Sequence, residues 1–260
     1  MRSDIAWSNS EKIVIRGHDL VDGLLGKVNL GDFGFLELFH RLPAEPESVV
    51  FNAMLVSLAE HGMTANAMVA RLTYLGAPES LQGAVAAGLL GLGTTFVGTI
   101  EGTAKMLQEI PADDAWRNGD SALEKLATQI AEGFVAARKP VPGIGHPIHK
   151  PVDPRAEKLF QLARDNGLDD SYERLLRAVK AVAEERLDRK LPINVTGAIG
   201  SISTTMGLRW QVSRGLGVMA RAVGLVGHIL EELDQPIART VQFETEERAS
   251  AHMVEVSSHG

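Results

Sequence analysis

The chain contains no cysteine, which removes disulfides, thiolate nucleophiles and Cys-based zinc sites together and makes a reducing cytoplasm its simplest home. It also lacks a long apolar run. The longest candidate, GAVAAGLLGLGTTFVG, is short and interrupted by glycine, so it reads as a buried helix and no membrane partner is expected. The opening MRSDIAWSNSEKIVIRG has no apolar core of the kind a secretory leader needs. Positive charge is not in surplus: 26 basic against 33 acidic side chains leave a net charge of −7. That balance offers no electrostatic basis for binding nucleic acid, and an anionic substrate would have to be met by a local cluster of arginines. Aromatics make up only 5% of residues, so Ala, Leu, Val and Gly must fill the core, and their small size lets helices approach closely.

At 260 residues the chain can bury a sizeable core, as one large domain or a main domain with an appendage. KIVIRGHDLVDGLLGKVNL opens with alternating apolar residues and a glycine, the pattern of a short strand and turn before a helix. From there apolar residues recur at three-to-four spacing over 31–42, 46–62, 63–75, 79–93, 98–109, 118–138, 153–167, 168–189, 191–206 and 208–234, which predicts helices broken by Gly or Pro. The tail ERASAHMVEVSSHG shows no such pattern and is expected to be an arm or disordered. The sharpest change in composition is the Pro and Gly cluster at 139–154, which divides a first helical bundle from a charged helical pair at 155–190.

Inside that cluster begins PGIGHPIHKPVDPRAEKLF, residues 142–160, with two of the chain's eight histidines. Gly143 and Gly145 let the backbone approach a ligand, and Pro147 biases His146 toward an extended conformation. A histidine in such a loop can polarise a carbonyl or carry a proton near neutral pH. His149, three residues on, would permit a metal pair. Pro147 breaks the regular spacing that such a pair needs, however, and no nearby carboxylate completes a ligand set, so no metal is expected. Asp153, Pro154 and Arg155 read as an N-cap, a first helical residue and a cation in the first turn. The helix dipole disfavours that cation, so an anion is expected beside Arg155. GLLGLG lacks both the spacing and the preceding strand of a phosphate loop.

GIGHPIHKPVDPRA resembles the G-x-G-H…D-P-R motif of citrate synthases and of the citryl-CoA-cleaving relatives that share their fold. The likeness covers most of the chain. FNAMLVSLAEHG, at 51–62, resembles the family helix that carries a substrate-binding histidine, here His61. LPINVTGAIGSI is similar to the N-V-D-x-x-x-G segment, ARAVGLVGHILEE to S-R-x-x-G-x-x-A-H, and QPIAR to the terminal Pro-x-x-Arg. The short N-terminal part resembles the lyase-like members more than full-length synthases. The resemblance implies an all-α, citrate-synthase-like fold with a short N-terminal β-element. It implies a large helical domain of 1–153 with 207–260, a small helical domain of 154–206, and a ligand cleft between them. It also implies a carboxylate-binding shell of His61, His146, Arg155, Arg221 and Arg239, the last reaching across a homodimer interface. Three guanidiniums can hold a di- or tricarboxylate through forked hydrogen bonds. Coenzyme A would lie against Gly143 and Gly145 with Lys150 facing a phosphate, and His146 would be the catalytic residue at the substrate's keto or hydroxyl oxygen.

Two positions depart from the family pattern. Thr196 stands where the synthases have the Asp that takes a proton from the acetyl-CoA methyl, and Val97 where they have the His that stabilises the enolate. Threonine is no general base at neutral pH and valine cannot donate a hydrogen bond. Glu101 and His149 are the substitutes at hand, while His228 is expected to pack in the long C-terminal helix. The implied function is citryl-CoA lyase-like cleavage of a 2-hydroxy polycarboxylate CoA thioester, a retro-Claisen reaction in which His146 takes the hydroxyl proton and citrate synthase activity is lost. The alternatives are a non-catalytic homologue that binds polycarboxylate and CoA, and an enzyme of altered chemistry on a related 2-oxo or 2-hydroxy acid.

Overall fold

In the computed structural model, residues 1–110, 114–146 and 149–257 are described. Helices dominate, and each of the ten expected from periodicity is present with ends shifted by at most four residues. The chain divides into two compact units, Met1–Ser57 with Val97–Leu216, and Leu58–Phe96 with Gly217–Gly260.

The first unit opens with a three-stranded antiparallel meander, β1 (Ala6–Ser8), β2 (Ile13–Ile15) and β3 (His18–Asp19), in which Trp7 pairs with Val14 and Ile15 with His18. Only the β2 stretch was expected as a strand. The β2–β3 turn is Arg16-Gly17, both at positive φ (47° and 83°), as a tight hairpin with the right twist requires. Asp19 then caps a π-helical turn, Leu20–Leu24, by accepting from the N–H groups of Val21 and Asp22. Helices α1 (Leu30–Phe39) and α2 (Glu45–Ala59) cross where Gly31 leaves room for the Asn52 side chain. Asp32 secures the crossing by accepting from Ser48 Oγ at 2.7 Å and Asn52 Nδ2 at 2.8 Å. Phe35 is fully buried beside them, stacked on Phe39 and edge-on to Phe51.

The rest of this unit is built around α10 (Val195–Thr205), whose residues are buried on nearly every side. A helix apolar or small all round belongs in a core. Its glycines let neighbours come close: a Cβ on Gly200 would lie 2.7 Å from Thr103 Cβ and 2.8 Å from the Ile100 carbonyl of α5 (Gly98–Gln108). The short α6 (Ala115–Asn118) was not anticipated. It buries Trp116 against Tyr172, and Arg117 lies over both rings. Helices α7 (Asp120–Ala136), α8 (Pro154–Asp165) and α9 (Ser171–Leu187) complete the unit. Glu173 of α9 accepts from Arg164 of α8 and Arg177, and Arg177 also forks onto Glu157.

The second unit holds α3 (Ala65–Gly76), α4 (Leu81–Leu90), most of α11 (Trp210–Asp234) and α12 (Ala238–Ser257). Ala67, Ala70 and Leu225 form its core with Val85 and Leu89 packed on them. Gly88 faces Leu225 so closely that a Cβ would lie 2.7 Å from Cδ1. The expected arm or disordered tail is instead the continuation of α12 as far as Ser257, and residues 258–260 lie outside the described residues. The periodicity signal is missing because this helix is mostly exposed. It is supported by the i, i+4 pair of Glu244 and Arg248 and by a carboxylate cap at its N-terminus.

Candidate functional site

In the first unit, the glycine loop and three helix N-termini meet. Gly143 (φ 78°) and Gly145 (φ 99°) take left-handed conformations that favour glycine. The Gly143 carbonyl accepts from Asn194 N at 3.0 Å, and Gly145 N donates to the Pro192 carbonyl at 2.7 Å. A Cβ on Gly143 would lie 2.5 Å from Gly197 Cα, so loop and helix touch backbone to backbone. Asn194 fastens both. Its Nδ2 donates to the Gly145 carbonyl at 2.8 Å, while its Oδ1 accepts from Gly197 N as the N-cap of α10. His146 is thus fixed beside the N-terminus of α10, its Nδ1 accepting from His149 N at 2.9 Å and its ring 4.5 Å from that of His149. With Nδ1 accepting, the neutral imidazole carries its proton on Nε2. Pro147, expected to orient His146, lies outside the described residues.

Asp153 is the N-cap of α8 as expected, with Pro154 in the first turn. The anion beside Arg155 is this same carboxylate: Oδ1 accepts from Arg155 N and Nε, both at 3.1 Å, and Oδ2 from Nη2 at 2.9 Å. Oδ2 also accepts from Val195 N at 3.0 Å, so one fully buried side chain joins the N-termini of α8 and α10. Burial pushes the Asp153 carboxyl up, but the Arg155 fork and the two N–H groups outweigh it and hold the group below its ordinary value. A depressed carboxyl contributes stability that is complete above its unfolded value and lost as pH falls through its folded one. Thermal stability is therefore expected to fall as pH drops below about 4. Asp153→Asn, at a cost of about 2 kcal/mol near neutrality, is expected to flatten that fall; melting curves from pH 3 to 7 check it, and equal slopes would refute it.

Val97 is the buried N-cap residue of α5, and Thr196 is the second residue of α10. The two positions are linked through Thr99, whose Oγ1 lies 2.6 Å from Thr196 Oγ1. Thr196 Oγ1 donates to Asn194 Oδ1 at 2.6 Å. Thr99 and Asn194 were not singled out in the sequence, where they lie 97 and two residues from Thr196. Glu101, a possible substitute base, has Arg214 Nε 2.9 Å from its carboxylate.

The remaining shell residues lie in the second unit. The helix expected to carry His61 ends at Ala59, so His61 is exposed in the turn that follows. Glu60 organises that turn: Oε1 accepts from His61 N at 2.8 Å and Gly62 N at 2.6 Å, and lies 3.1 Å from His228 Nε2. Its Oε2 is 3.4 Å from Nη1 of the buried Arg221. Burial opposes the charge on Glu60, but these donors keep its carboxyl below the usual range. Burial also lowers Arg221, with Glu60 partly offsetting it. Arg239 is exposed in the first turn of α12. Asn66 is buried, with Nδ2 lacking a hydrogen-bond partner among the described residues.

A cavity of about 370 Å³ lies beside the glycine loop, lined by Val135, Val141, Ile144 and Leu191 with Arg138, Lys139 and Arg189. Lys150 is exposed and does not line it. The sequence holds a signal for these cations, since Arg138-Lys139 and Arg189-Lys190 each stand just ahead of a proline that leads into a site segment. Among the described residues, no three His, Asp or Glu side chains are placed to hold a metal ion, and no helix is long and apolar enough to cross a membrane.

A helical body that fixes a Gly-x-Gly-His loop and a Pro-Arg helix start on the N-terminus of a buried, glycine-rich helix defines the citrate-synthase fold. Residues 33–241 match the family described as citrate synthase, C-terminal domain, and the chain belongs to that family. It is similar to the structure of citryl-CoA lyase from Hydrogenobacter thermophilus, with a TM-score of 0.79 and 31% identity over 90% of this chain and 88% of that one. An ATP citrate lyase from Methanothrix soehngenii, solved with citrate and coenzyme A, shares the fold at a TM-score of 0.74 and 24% identity, over 90% of this chain and 39% of that one. Citrate synthase 2 of Bacillus subtilis is 28% identical over 78% of this chain and 53% of its own length, and ATP-citrate synthase beta chain protein 2 of Arabidopsis thaliana 29% over 70% and 31%. The chain thus spans about half or less of these curated relatives.

Proposed function

We propose that the protein is a CoA-thioester carbon–carbon lyase of the citryl-CoA type. The observation that carries this reading is the joint at the N-terminus of α10, where Asn194 fastens the loop that carries His146 and Asp153 holds Arg155. The similarity to citryl-CoA lyase along nearly the whole chain supports it. In this reading Arg155, Arg221, Arg239, His61 and His146 bind the polycarboxylate. Asp153 engages the Nε–Nη2 edge of Arg155, which leaves Nη1 for a substrate carboxylate. The segment 154–206 acts as a small domain that closes on the remainder.

Cleavage removes the hydroxyl proton, turns that carbon into a ketone, and passes the electron pair of the broken bond to the thioester as an enolate. His146 acts at the hydroxyl. With the His149 N–H on Nδ1, it can donate to that oxygen from Nε2. To take the proton it must give up that bond and shift its own proton to Nδ1, an exchange we place at the closing of the site. Neither Val97 nor Thr196 is available at the enolate, the latter being engaged by Asn194 and Thr99. Backbone N–H groups near Val97–Gly98, at the start of α5, would supply the donors.

The nucleotide end of coenzyme A fits the cavity beside Ile144, with apolar walls for the base and Arg138, Lys139 and Arg189 for phosphate. Lys150 stands outside it as a further point charge. Arg189→Glu is expected to weaken CoA binding about tenfold or more while leaving citrate binding unchanged; calorimetry checks this, and equal loss of both would move the nucleotide elsewhere. A homodimer in the cytoplasm completes the reading. Exposed Val223, Val226, Leu230 and Leu233 recur at three-four spacing on α11 and supply an apolar seam for a second copy.

The reading is tested by incubating the protein with citryl-CoA, citramalyl-CoA and malyl-CoA and following product CoA esters by mass spectrometry. Cleavage of one of them, lost in His146→Ala, is expected. Failure on all three would overturn the lyase reading.

A further inference from the structure

Arg71 on α3 is 1% exposed. A guanidinium is rarely so buried unless paired, because desolvating it is costly. Its partners run in two directions. On one side Nη1 donates to Glu232 at 3.0 Å, and Glu231 also pairs with it. Glu232 in turn accepts from Ile237 N at 3.0 Å and Ala238 N at 2.8 Å, capping α12 one residue before Arg239. On the other side Arg71 Nε and Nη2 face His228 Nδ1 at 3.3 and 3.1 Å. That nitrogen must therefore accept, so the neutral ring donates from Nε2 to Glu60, 3.1 Å away. Glu60 surfaces beside His61 and Arg221, holding the backbone of one and the guanidinium of the other.

Gly224 makes the last contact feasible. A Cβ there would collide with the Ala59 carbonyl and lie 2.8 Å from Glu60 Oε2, so only glycine on α11 lets the end of α2 approach so closely.

We propose that Glu60, His228, Arg71 and Glu232 form a positioning frame that holds His61, Arg221 and Arg239 in register. The proposal rests on the polycarboxylate reading above. None of the four residues need touch the ligand. The frame joins the turn after α2 to the start of α12, segments about 180 residues apart in sequence, through one imidazole that must accept on one side and donate on the other. A substitution at His228 therefore reaches both ends.

The test compares the full chain with His228→Leu, His228→Gln and Gly224→Ala. By hydrogen exchange and mass spectrometry, His228→Leu is expected to speed the amides of His61 and Gly62 and those of Ile237 and Ala238 together. Citrate affinity is expected to fall about tenfold or more, the scale of lost hydrogen bonds to charged groups, with CoA affinity unchanged. His228→Gln offers an acceptor and a donor in similar places and is expected to restore both readouts. Gly224→Ala, which displaces Glu60 without removing a charge, carries the same expectation should the leucine variant not fold. Loosening of one segment alone, unchanged citrate affinity in His228→Leu, or no recovery with glutamine would overturn the frame. A wild-type protein that binds neither citrate nor oxaloacetate would instead overturn the polycarboxylate reading, and the exchange data would still decide whether the frame exists.

Discussion

Arg155→Ala is expected to remove about half or more of the thermal stabilisation that citrate or oxaloacetate gives the wild-type protein. A ligand at one hundred times its dissociation constant stabilises the native state by about 2.7 kcal/mol, which for a chain of this size corresponds to roughly 5–10 °C. Each hydrogen bond between a guanidinium and a carboxylate contributes about 1.5–3 kcal/mol, so removing the Nη1 contact lowers affinity about tenfold to more than a hundredfold. The ligand-free protein is also expected to melt earlier, because Asp153 stays buried with its charge only partly met by the N–H groups of Arg155 and Val195. The decisive quantity is therefore the difference between melting temperatures with and without ligand. Arg155→Lys keeps a cation near Asp153 but not a planar fork. It should recover part of the ligand-free stability and little of the citrate shift. An undiminished shift in Arg155→Ala would remove this residue from the binding shell.

How much of this was legible in the sequence follows from how local each feature is. Asp153-Pro154-Arg155 was readable as a helix start because an N-cap and a first-turn proline act within one turn. The helices were readable because apolar residues repeat at helical spacing, even where glycine carries the packing, as in α10. The continuation of α12 was not, since a mostly exposed helix held by a carboxylate from another helix leaves no apolar stripe.

The site was half legible for the same reason. Family motifs brought out His61, His146, Arg155, Arg221 and Arg239, residues that would meet the ligand. The groups that hold them are paired across the fold: Thr99 with Thr196, Arg71 with His228, Glu60 with Arg221. Nothing within a ten-residue window distinguishes Glu60 from a surface glutamate, or Arg71 from a helix-face arginine. His228 shows the limit most plainly. Packing within the C-terminal helix was expected, and its burial agrees, but its two ring contacts come from α3 and from the turn after α2. Such roles depend on tertiary partners, which periodicity does not carry.

The unmodified protein is expected to show no exchange of deuterium into the methyl group of acetyl-CoA above background, with or without oxaloacetate. Exchange requires a base to take a C–H proton and a donor to hold the enolate, without any carbon–carbon bond forming. At the position where the family resemblance expects the base stands a threonine whose hydroxyl lies 2.6 Å from both Asn194 Oδ1 and Thr99 Oγ1, and where it expects the donor stands a buried valine. One missing oxyanion donor commonly costs a factor of about 10²–10³, and a missing general base about 10²–10⁴. Cleavage is less exposed to the loss of the base, because the departing enolate needs only to be reprotonated and water can serve, whereas water is a poor base for the reverse step. Val97→His and Thr196→Asp together are expected to raise exchange, and neither alone need do so, since groups that act as a unit are not additive. The new carboxylate would face Asn194 Oδ1, which already accepts from Gly197 N. It therefore needs the Thr99 hydroxyl to turn toward it, and adding Thr99→Val to the double variant should cancel the gain. Rapid exchange by the wild-type protein would sink the claim that synthase chemistry is lost. Glu101 would then be the first base to test, by Glu101→Gln, although its carboxylate is already paired with Arg214 Nε at 2.9 Å.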